Sequence, residues 1–140
     1  MPTDFPIPAD AAAAYEKTLR SHFGDSSPDF DLLLLGLGAD GHVASLFPNA
    51  PALQERNKWV VATESPIEPL QRLSLTLPAI NSSRRIYLLV TGKEKAEPFR
   101  RAAQRIINID DCPGCGVHPR SGEPEWWVDK EATATLFKPL

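Results

Sequence analysis

Asp40 and His42 are the side chains whose types and spacing best suit chemistry in this 140-residue sequence. They stand two positions apart on either side of Gly41, and only Ala39 separates them from the segment Gly36-Leu37-Gly38. Histidine gains and loses a proton near neutral pH, so this pair suits proton transfer. A tight structural turn is the other interpretation, because a glycine-rich connection with one histidine is common in folded proteins.

The four consecutive leucines at positions 32–35 come immediately before this loop. A short, continuous apolar run bounded by turn residues predicts a strand buried on both faces of a parallel sheet. Ligands of α/β proteins bind at the carboxyl ends of parallel strands. The pair is therefore predicted to lie at the edge of the sheet where ligands bind.

A second apolar run, at positions 85–91, is followed by Gly92, Lys93 and Lys95. Backbone N–H groups at a helix start and nearby ammonium groups together form a phosphate site. A solvated, charged first helical turn is the alternative. Two such loops at one edge of a sheet favour a phosphorylated substrate.

The remaining pattern alternates strands, glycine turns and helices, which predicts an α/β fold with a mainly parallel sheet flanked by helices. Asp10 is predicted to cap the first helix and Gly24 to end it. Ser74 is placed on the less buried face of its strand. The predicted helices cover positions 11–23 and 94–107, and the further strands cover 59–63, 73–77 and 126–128.

The composition is that of one globular domain over residues 1–140, with 42% hydrophobic and 24% charged residues. The net charge of −3 disfavours nucleic-acid binding. No apolar run approaches the roughly 20 residues that span a bilayer, and the start of the sequence lacks the features of a signal peptide. We therefore expect a cytoplasmic protein that binds neither nucleic acid nor membrane.

Gly36, Gly38 and Gly41 also match the pattern G-x-G-x-x-G, so a dinucleotide-binding module is an alternative. That fingerprint needs a helix that starts at the glycines and faces the pyrophosphate. Pro48 leaves little room for such a helix, and the Asp40 carboxylate would repel phosphates. The dinucleotide interpretation is therefore disfavoured.

Cys112 and Cys115 are spaced as a redox pair, a disulfide or half of a metal site. A zinc site needs about four ligands, and His118 supplies only a third. The pair lies in a proline- and glycine-rich segment instead of a strand–helix unit. Two ordinary thiols in a surface loop are the favoured interpretation, and no metal or cofactor is predicted.

The segment at positions 34–48 resembles the signature of 6-phosphogluconolactonases, within the wider family that includes glucosamine-6-phosphate deaminases. Tyr15 and its helix resemble the element that precedes this signature. The resemblance continues, in the right order, through positions 72–81, 89–96, 116–120 and 126–129.

The resemblance implies a Rossmann-like three-layer α/β fold. It also implies hydrolysis of 6-phosphoglucono-δ-lactone to 6-phosphogluconate in the pentose phosphate pathway, without a metal or cofactor. His42 would act as general base toward water, and Asp40 would orient His42 or a substrate hydroxyl. The other implied substrate and phosphate contacts are Gly36, Gly38, Gly41, Gly92, Lys95, Lys93 and Arg72, with the N–H groups of Gly38 and Gly41 facing the oxyanion.

Two departures from the family pattern refine this expectation. Deaminases carry a catalytic glutamate five residues after the motif histidine, and Phe47 stands there, which favours the lactone branch. The resemblance covers only the C-terminal part of the family, so the fold is expected to be truncated. The alternative to hydrolysis is an inactive sugar-phosphate-binding half, completed by a second copy or by a missing N-terminal half.

Overall fold

The computed structural model describes residue 1, residues 4–105 and residues 107–136. Eight helices and strands make up its regular structure, together with three short 3₁₀ helices at Pro51–Gln54, Lys93–Lys95 and Pro113–Gly116. In chain order they are α1 (Pro8–Phe23), β1 (Leu33–Gly36), β2 (Val60–Glu64), β3 (Gln71–Leu75), α2 (Leu77–Asn81), β4 (Ile86–Val90), α3 (Ala96–Gln104) and β5 (Glu125–Val128).

The main sheet contains three parallel strands in the order β1-β4-β5. Its register places Gly36 beside Leu89, and Leu89 beside Trp127. β2 and β3 form a separate antiparallel pair against which α1 packs. The predicted α/β class with a parallel sheet and flanking helices is confirmed.

One face of the three-stranded sheet forms the core. Leu35 of β1 and Leu88 of β4 are buried on this face, and α3 covers it through Phe99. The ring of Phe99 lies 5.2 Å from that of Trp126 on β5. This packing fixes the sheet relative to the loops that leave its carboxyl edge.

The opposite face of the sheet is exposed. Leu34 is 58% exposed, Leu89 51% and Trp127 57%. The prediction that β1 is buried on both faces is therefore wrong for the described chain. Side chains alternate between the two faces of a strand, and within residues 4–105 and 107–136 the core lies against one face.

The first helix begins earlier than predicted. Pro8 is its first residue and Ile7 its N-cap, so Asp10 lies in the first turn and is not the cap. Proline suits this position because its φ is already helical and the missing N–H would be unpaired there. Gly24 ends the helix as predicted, with φ of +80° and its N–H donating to the Arg20 carbonyl at 2.9 Å.

Two other boundaries differ from the predictions. The strand expected at 73–77 is Gln71–Leu75, because the Thr76 hydroxyl caps α2 by accepting from the Ala79 N–H at 3.3 Å. The helix expected at 94–107 is divided into a 3₁₀ turn and α3, which ends where Arg105 adopts a φ of +50°. Position 106 of that prediction lies outside the described residues.

Among the described helices, none has the length and apolar character that crossing a bilayer requires.

Candidate active site

The loop after β1 closes on itself through its backbone. The Gly41 N–H donates to the Gly38 carbonyl at 3.0 Å, and the Gly38 N–H donates to the His42 carbonyl at 2.8 Å. Gly41 has a φ of +86°, a conformation that glycine adopts without strain. The loop therefore presents positions 40 and 42 side by side.

His42 and Asp40 form a direct hydrogen bond. His42 Nδ1 lies 2.6 Å from Asp40 Oδ1, and the His42 backbone N–H donates to the same oxygen at 3.1 Å. Because a carboxylate oxygen accepts, this contact makes Nδ1 the protonated nitrogen and leaves Nε2 as a proton acceptor. The two side chains are 31% and 40% exposed, so a substrate or water can reach them.

Gly38 makes room for this pair. A Cβ atom at position 38 would lie 2.1 Å from His42 Nδ1 and 2.6 Å from Asp40 Oδ1, inside van der Waals contact. A Cβ atom at Gly36 would meet no atom within 4 Å. Gly38 is therefore a steric requirement of the site, whereas nothing around Gly36 demands a glycine.

The ring of Phe47 packs against the imidazole of His42. The two ring centroids lie 4.6 Å apart, with 47° between the ring planes, and Phe47 is 8% exposed. Between the two residues, Ala44 has a φ of +51°, in the left-handed region that side chains rarely adopt. In this backbone conformation the chain turns at Ala44, and Phe47 contacts His42.

Ser74 on β3 anchors this part of the loop. Its hydroxyl accepts from the Ser45 N–H at 3.1 Å and donates to the Leu75 carbonyl at 2.9 Å. Ser74 is 1% exposed, so its predicted place on a less buried face is wrong. The alternation of leucine and serine in the sequence carried no signal for this buried polar contact.

The expected oxyanion role of the Gly38 and Gly41 N–H groups does not hold in this structure, because both groups already donate within the loop. Ala39 and Asp40 are the central residues of the turn. Their N–H groups donate to no other residue in the described part of the chain. They are two backbone donors, close to His42 in the sequence, that the described chain leaves available.

The loop after β4 carries the predicted phosphate residues. Gly92 has a φ of +96°, and its N–H donates to Asp129 Oδ2 at 2.9 Å, a contact the sequence did not predict. A Cβ atom at Gly92 would lie 2.7 Å from the Glu94 carboxylate, which therefore folds back over the turn. Lys93 is exposed and Lys95 half-buried, and neither forms an ion pair with another described residue.

The topology brings these two loops to one edge, while Arg72 lies on the separate β2–β3 pair. β1 and β4 are parallel neighbours, so the loops that follow Gly36 and Val90 leave the same edge of the sheet. Arg72, on β3, lines a cavity of about 380 Å³ together with Phe5 and Pro8. Arg72 is also the cross-strand partner of Thr63, so its predicted role in substrate binding stays a prediction.

An open cleft of about 690 Å³ adjoins Asp40, a size within the usual range for small-molecule sites. Asp40 and Phe47 line one part of it, and Thr63, Glu64 and Ser65 line another. A cavity of similar size, about 710 Å³, lies between α1 and β2 and contains neither Asp40 nor His42. The cleft beside Asp40 is therefore the candidate substrate site.

The cysteine segment packs beneath the same loop. Cys112 is 1% exposed and Cys115 5%, so the prediction of a surface loop is wrong. The reason is a contact across the fold, in which the Gly114 N–H donates to the Gly41 carbonyl at 2.9 Å. Among the residues that the structure describes, no three histidine, cysteine, aspartate or glutamate side chains are grouped as a metal would require.

The dinucleotide alternative is wrong, because no helix starts at the glycines. Between Gly36 and the 3₁₀ helix at Pro51–Gln54, the described chain forms turns and an isolated bridge between Val43 and Leu46. In this described segment, no helix N-terminus therefore follows the glycines to face a pyrophosphate.

The fold and this loop define an α/β protein with a titratable pair at the carboxyl edge of a parallel sheet. Residues 1–126 match the family described as glucosamine-6-phosphate isomerases/6-phosphogluconolactonase, and the chain belongs to this family. The recognised resemblance is thus confirmed.

Individual relatives agree with this assignment. The chain is 43% identical over 133 residues to the 6-phosphogluconolactonase of Homo sapiens, covering 94% of this chain and 51% of that protein. It is 39% identical to the probable 6-phosphogluconolactonase 1 of Arabidopsis thaliana, covering 91% and 52%. The solved 6-phosphogluconolactonase of Trypanosoma brucei superposes with a TM-score of 0.79 at 28% identity, covering 91% of this chain and 53% of that one. The chain spans about half the length of the curated relatives it matches.

Proposed function

We propose that this chain carries the catalytic loop of a 6-phosphogluconolactonase, which hydrolyses 6-phosphoglucono-δ-lactone to 6-phosphogluconate. The observation that carries the proposal is the 2.6 Å contact between His42 and Asp40 within the family loop. The lactonase names of the relatives support the same reaction. A cytoplasmic location remains a prediction from composition.

The proposed chemistry is general-base hydrolysis. His42 Nε2 accepts a proton from water while the water oxygen attacks the lactone carbonyl carbon. Asp40 holds the ring in the required tautomer and stabilises the imidazolium that forms. The imidazolium then returns the proton to the ring oxygen as the carbon–oxygen bond of the lactone breaks. No covalent intermediate is required.

The developing oxyanion needs hydrogen-bond donors near the carbonyl oxygen. The N–H groups of Ala39 and Asp40 support this role, because the described chain leaves them without an acceptor beside His42. This assignment replaces the one expected for Gly38 and Gly41. The function of those two glycines is then to shape the turn.

The phosphate is assigned to the loop after β4. Lys95 is the principal candidate because it is half-buried near the sheet edge, and Lys93 is a more exposed second candidate. The negative charge of Glu94 would repel a phosphate at this turn. Binding of the substrate phosphate therefore requires the Glu94 carboxylate to move away from Gly92. Arg72 stays a weaker candidate, because it lines another cavity but is the cross-strand partner of Thr63, which lines the cleft beside Asp40.

Phe47 favours lactone hydrolysis over the amino-sugar reactions of the same family. Its ring packs on His42 at the position where the resemblance implies a glutamate in deaminases. A phenylalanine side chain transfers no proton. Hydrolysis of the lactone with His42 as base requires no second proton-transfer group at position 47.

The exposed sheet face is proposed to be covered by a segment equivalent to the half of the relatives that this chain does not match. Leu34, Leu89 and Trp127 form an apolar strip on that face. Contiguous exposed apolar surface of this kind marks an interaction site. The relatives' extra length supports this occupant, whether it lies on the same polypeptide or on another.

The test monitors hydrolysis of the phosphorylated lactone by NMR and compares its rate with the rate of spontaneous hydrolysis. The chain is assayed alone and together with a polypeptide that supplies the unmatched half of a relative. Turnover by the wild-type chain supports the reaction. A higher KM in the Lys95→Ala variant supports the phosphate assignment. Binding of 6-phosphogluconate without turnover in either preparation would replace the proposal with an inactive sugar-phosphate-binding half.

A further inference from the structure

We propose that Cys112 and Cys115 form a reversible dithiol–disulfide couple whose state alters the loop that carries His42. The two cysteines are the complete cysteine content of the sequence, and both are reduced in the structure. The catalytic proposal above does not use either thiol. The couple takes a low-molecular-weight disulfide, such as oxidised glutathione, as its electron acceptor.

The backbone between the two cysteines has the geometry that a short disulfide loop requires. Cys112 is the N-cap of the 3₁₀ helix Pro113–Gly116, and the Cys115 N–H donates to the Cys112 carbonyl at 2.9 Å. A hydrogen-bonded four-residue turn holds its end Cα atoms within about 7 Å. Disulfides span Cα separations of about 4.4–6.8 Å, so closing the bond needs little backbone movement.

The two thiols are chemically unequal. The neighbouring Cys112 thiol, the Ile107 backbone and the positive charges of Arg105 and Arg101 outweigh burial and together lower the pKa of Cys115 to about 7. The neighbouring Cys115 sulfur, together with burial, raises the pKa of Cys112. Both cysteines are buried, and the lower pKa makes Cys115 the thiol that reacts first.

The cysteine segment is in direct contact with the catalytic loop. A Cβ atom at Gly41 would lie 2.7 Å from Cys112 Sγ, which shows that this sulfur packs against the Gly41 backbone. The Gly114 N–H donates to the Gly41 carbonyl at 2.9 Å. Gly41 directly precedes His42, so a movement of Cys112 Sγ toward Cys115 removes a packing contact from the loop next to His42.

The oxidation occurs in two exchange steps. The Cys115 thiolate attacks one sulfur of the small disulfide, whose S–S bond breaks and releases one thiolate. Cys112 then loses its proton to solvent and attacks the Cys115 sulfur of the mixed disulfide, releasing the second thiolate. The cysteine pair loses two electrons, and the small disulfide is reduced to two thiols.

The test uses the intact chain in buffers of defined reduced-to-oxidised glutathione ratio. After acid quenching and alkylation, intact mass counts the remaining thiols, and amide NMR signals report on Gly41 and His42. We expect the loss of both thiols without added glutathione mass, shifted signals at Gly41 and His42, and recovery of both on reduction. Cys112→Ser is expected to retain glutathione on Cys115, whereas Cys115→Ser is expected to leave Cys112 unreacted.

A native chain that keeps both thiols when the glutathione in the buffer is fully oxidised would overturn the proposal that Cys112 and Cys115 form a redox couple. Disulfide formation with unchanged Gly41 and His42 signals would overturn its link to the loop. Only the consequence for hydrolysis rests on the proposed function. Mass and NMR are measured without substrate, so failure here is distinguishable from failure of the lactonase proposal.

Discussion

His42 Nδ1 lies 2.6 Å from Asp40 Oδ1, and the backbone of Gly38 leaves just enough room for the two groups to meet. The contact depends on the absence of a side chain at position 38 as much as on the two polar residues. A carboxylate that holds a histidine tautomer is a common arrangement for proton transfer, and here one tight turn supplies both groups.

Gly38→Ala is expected to abolish most hydrolysis because its Cβ would overlap the His42 and Asp40 side chains. We expect kcat to fall by roughly 10²–10⁴-fold, the usual contribution of a positioned base. Gly36→Ala is the matched control, since a Cβ there meets nothing within 4 Å. Steady-state kinetics of both variants test this, and equal rates for the two would contradict the steric role of Gly38.

Asp40→Asn is expected to preserve the fold, because the carboxylate is 40% exposed, while removing the charge that orients His42. An amide NH₂ facing Nδ1 would favour the wrong tautomer, so kcat should fall by roughly 10²–10⁴-fold with little change in KM. An unchanged kcat in this variant would show that Asp40 does not position the base.

Leu34→Lys is expected to weaken binding of the complementary half and to reduce fluorescence of a hydrophobic dye on the exposed sheet face. Leu34 is 58% exposed on this face, on the edge strand β1. Ile67→Lys is the matched control, because Ile67 is 70% exposed but lies in the loop between β2 and β3. Sedimentation velocity measures complex formation. A wild-type chain that self-associates and does not bind the complementary half would identify a second copy as the partner that covers this face.

Glu16→Gln is expected to destabilise the fold because this carboxylate joins α1 to β2. Its Oε2 accepts from the Trp59 N–H at 2.9 Å and the Val60 N–H at 3.1 Å, and its Oε1 accepts from Arg20 at 2.8 Å. Hydrogen bonds to charged groups contribute about 1.5–3 kcal/mol. The free energy of unfolding in urea should fall by about that amount, whereas Glu125→Gln on the exposed end of β5 should leave it unchanged.

The same carboxylate gives the stability a pH dependence. Burial raises the pKa of Glu16, but the hydrogen bonds from Arg20, Val60 and Trp59 outweigh burial and hold the pKa below its ordinary value of 4.5. The folded state therefore binds this proton less readily than the unfolded chain. Its contribution is fully present above pH 4.5 and is lost as pH falls through the folded pKa. Urea unfolding across acidic pH should show a smaller loss in Glu16→Gln than in the wild type.

Local sequence patterns predicted the elements whose determinants lie within a few residues. The leucine run before Gly36 and the apolar run before Gly92 both became strands of the parallel sheet. Gly24 ended α1 because a left-handed φ there favours glycine over other residues. The order of these elements sufficed to place the two functional loops at one edge.

Contacts between distant segments were not predictable from the sequence. Ser74 supports the loop 29 residues before it, and Cys112 packs on Gly41 across 71 positions. Neither contact leaves a periodic or compositional signal, because each depends on where the strands lie in space. The Cys112–Cys115 spacing was recognisable, but its burial beneath the His42 loop was not.

The central claim is that His42 is the base of lactone hydrolysis. The most direct measurement is kcat/KM for 6-phosphoglucono-δ-lactone with wild type and His42→Ala, in the preparation that shows turnover, after subtraction of spontaneous hydrolysis. Circular dichroism and the urea midpoint confirm that the variant remains folded. The account predicts a loss of roughly 10²–10⁴-fold with little change in stability. A folded His42→Ala variant that hydrolyses the lactone at the wild-type rate would contradict it.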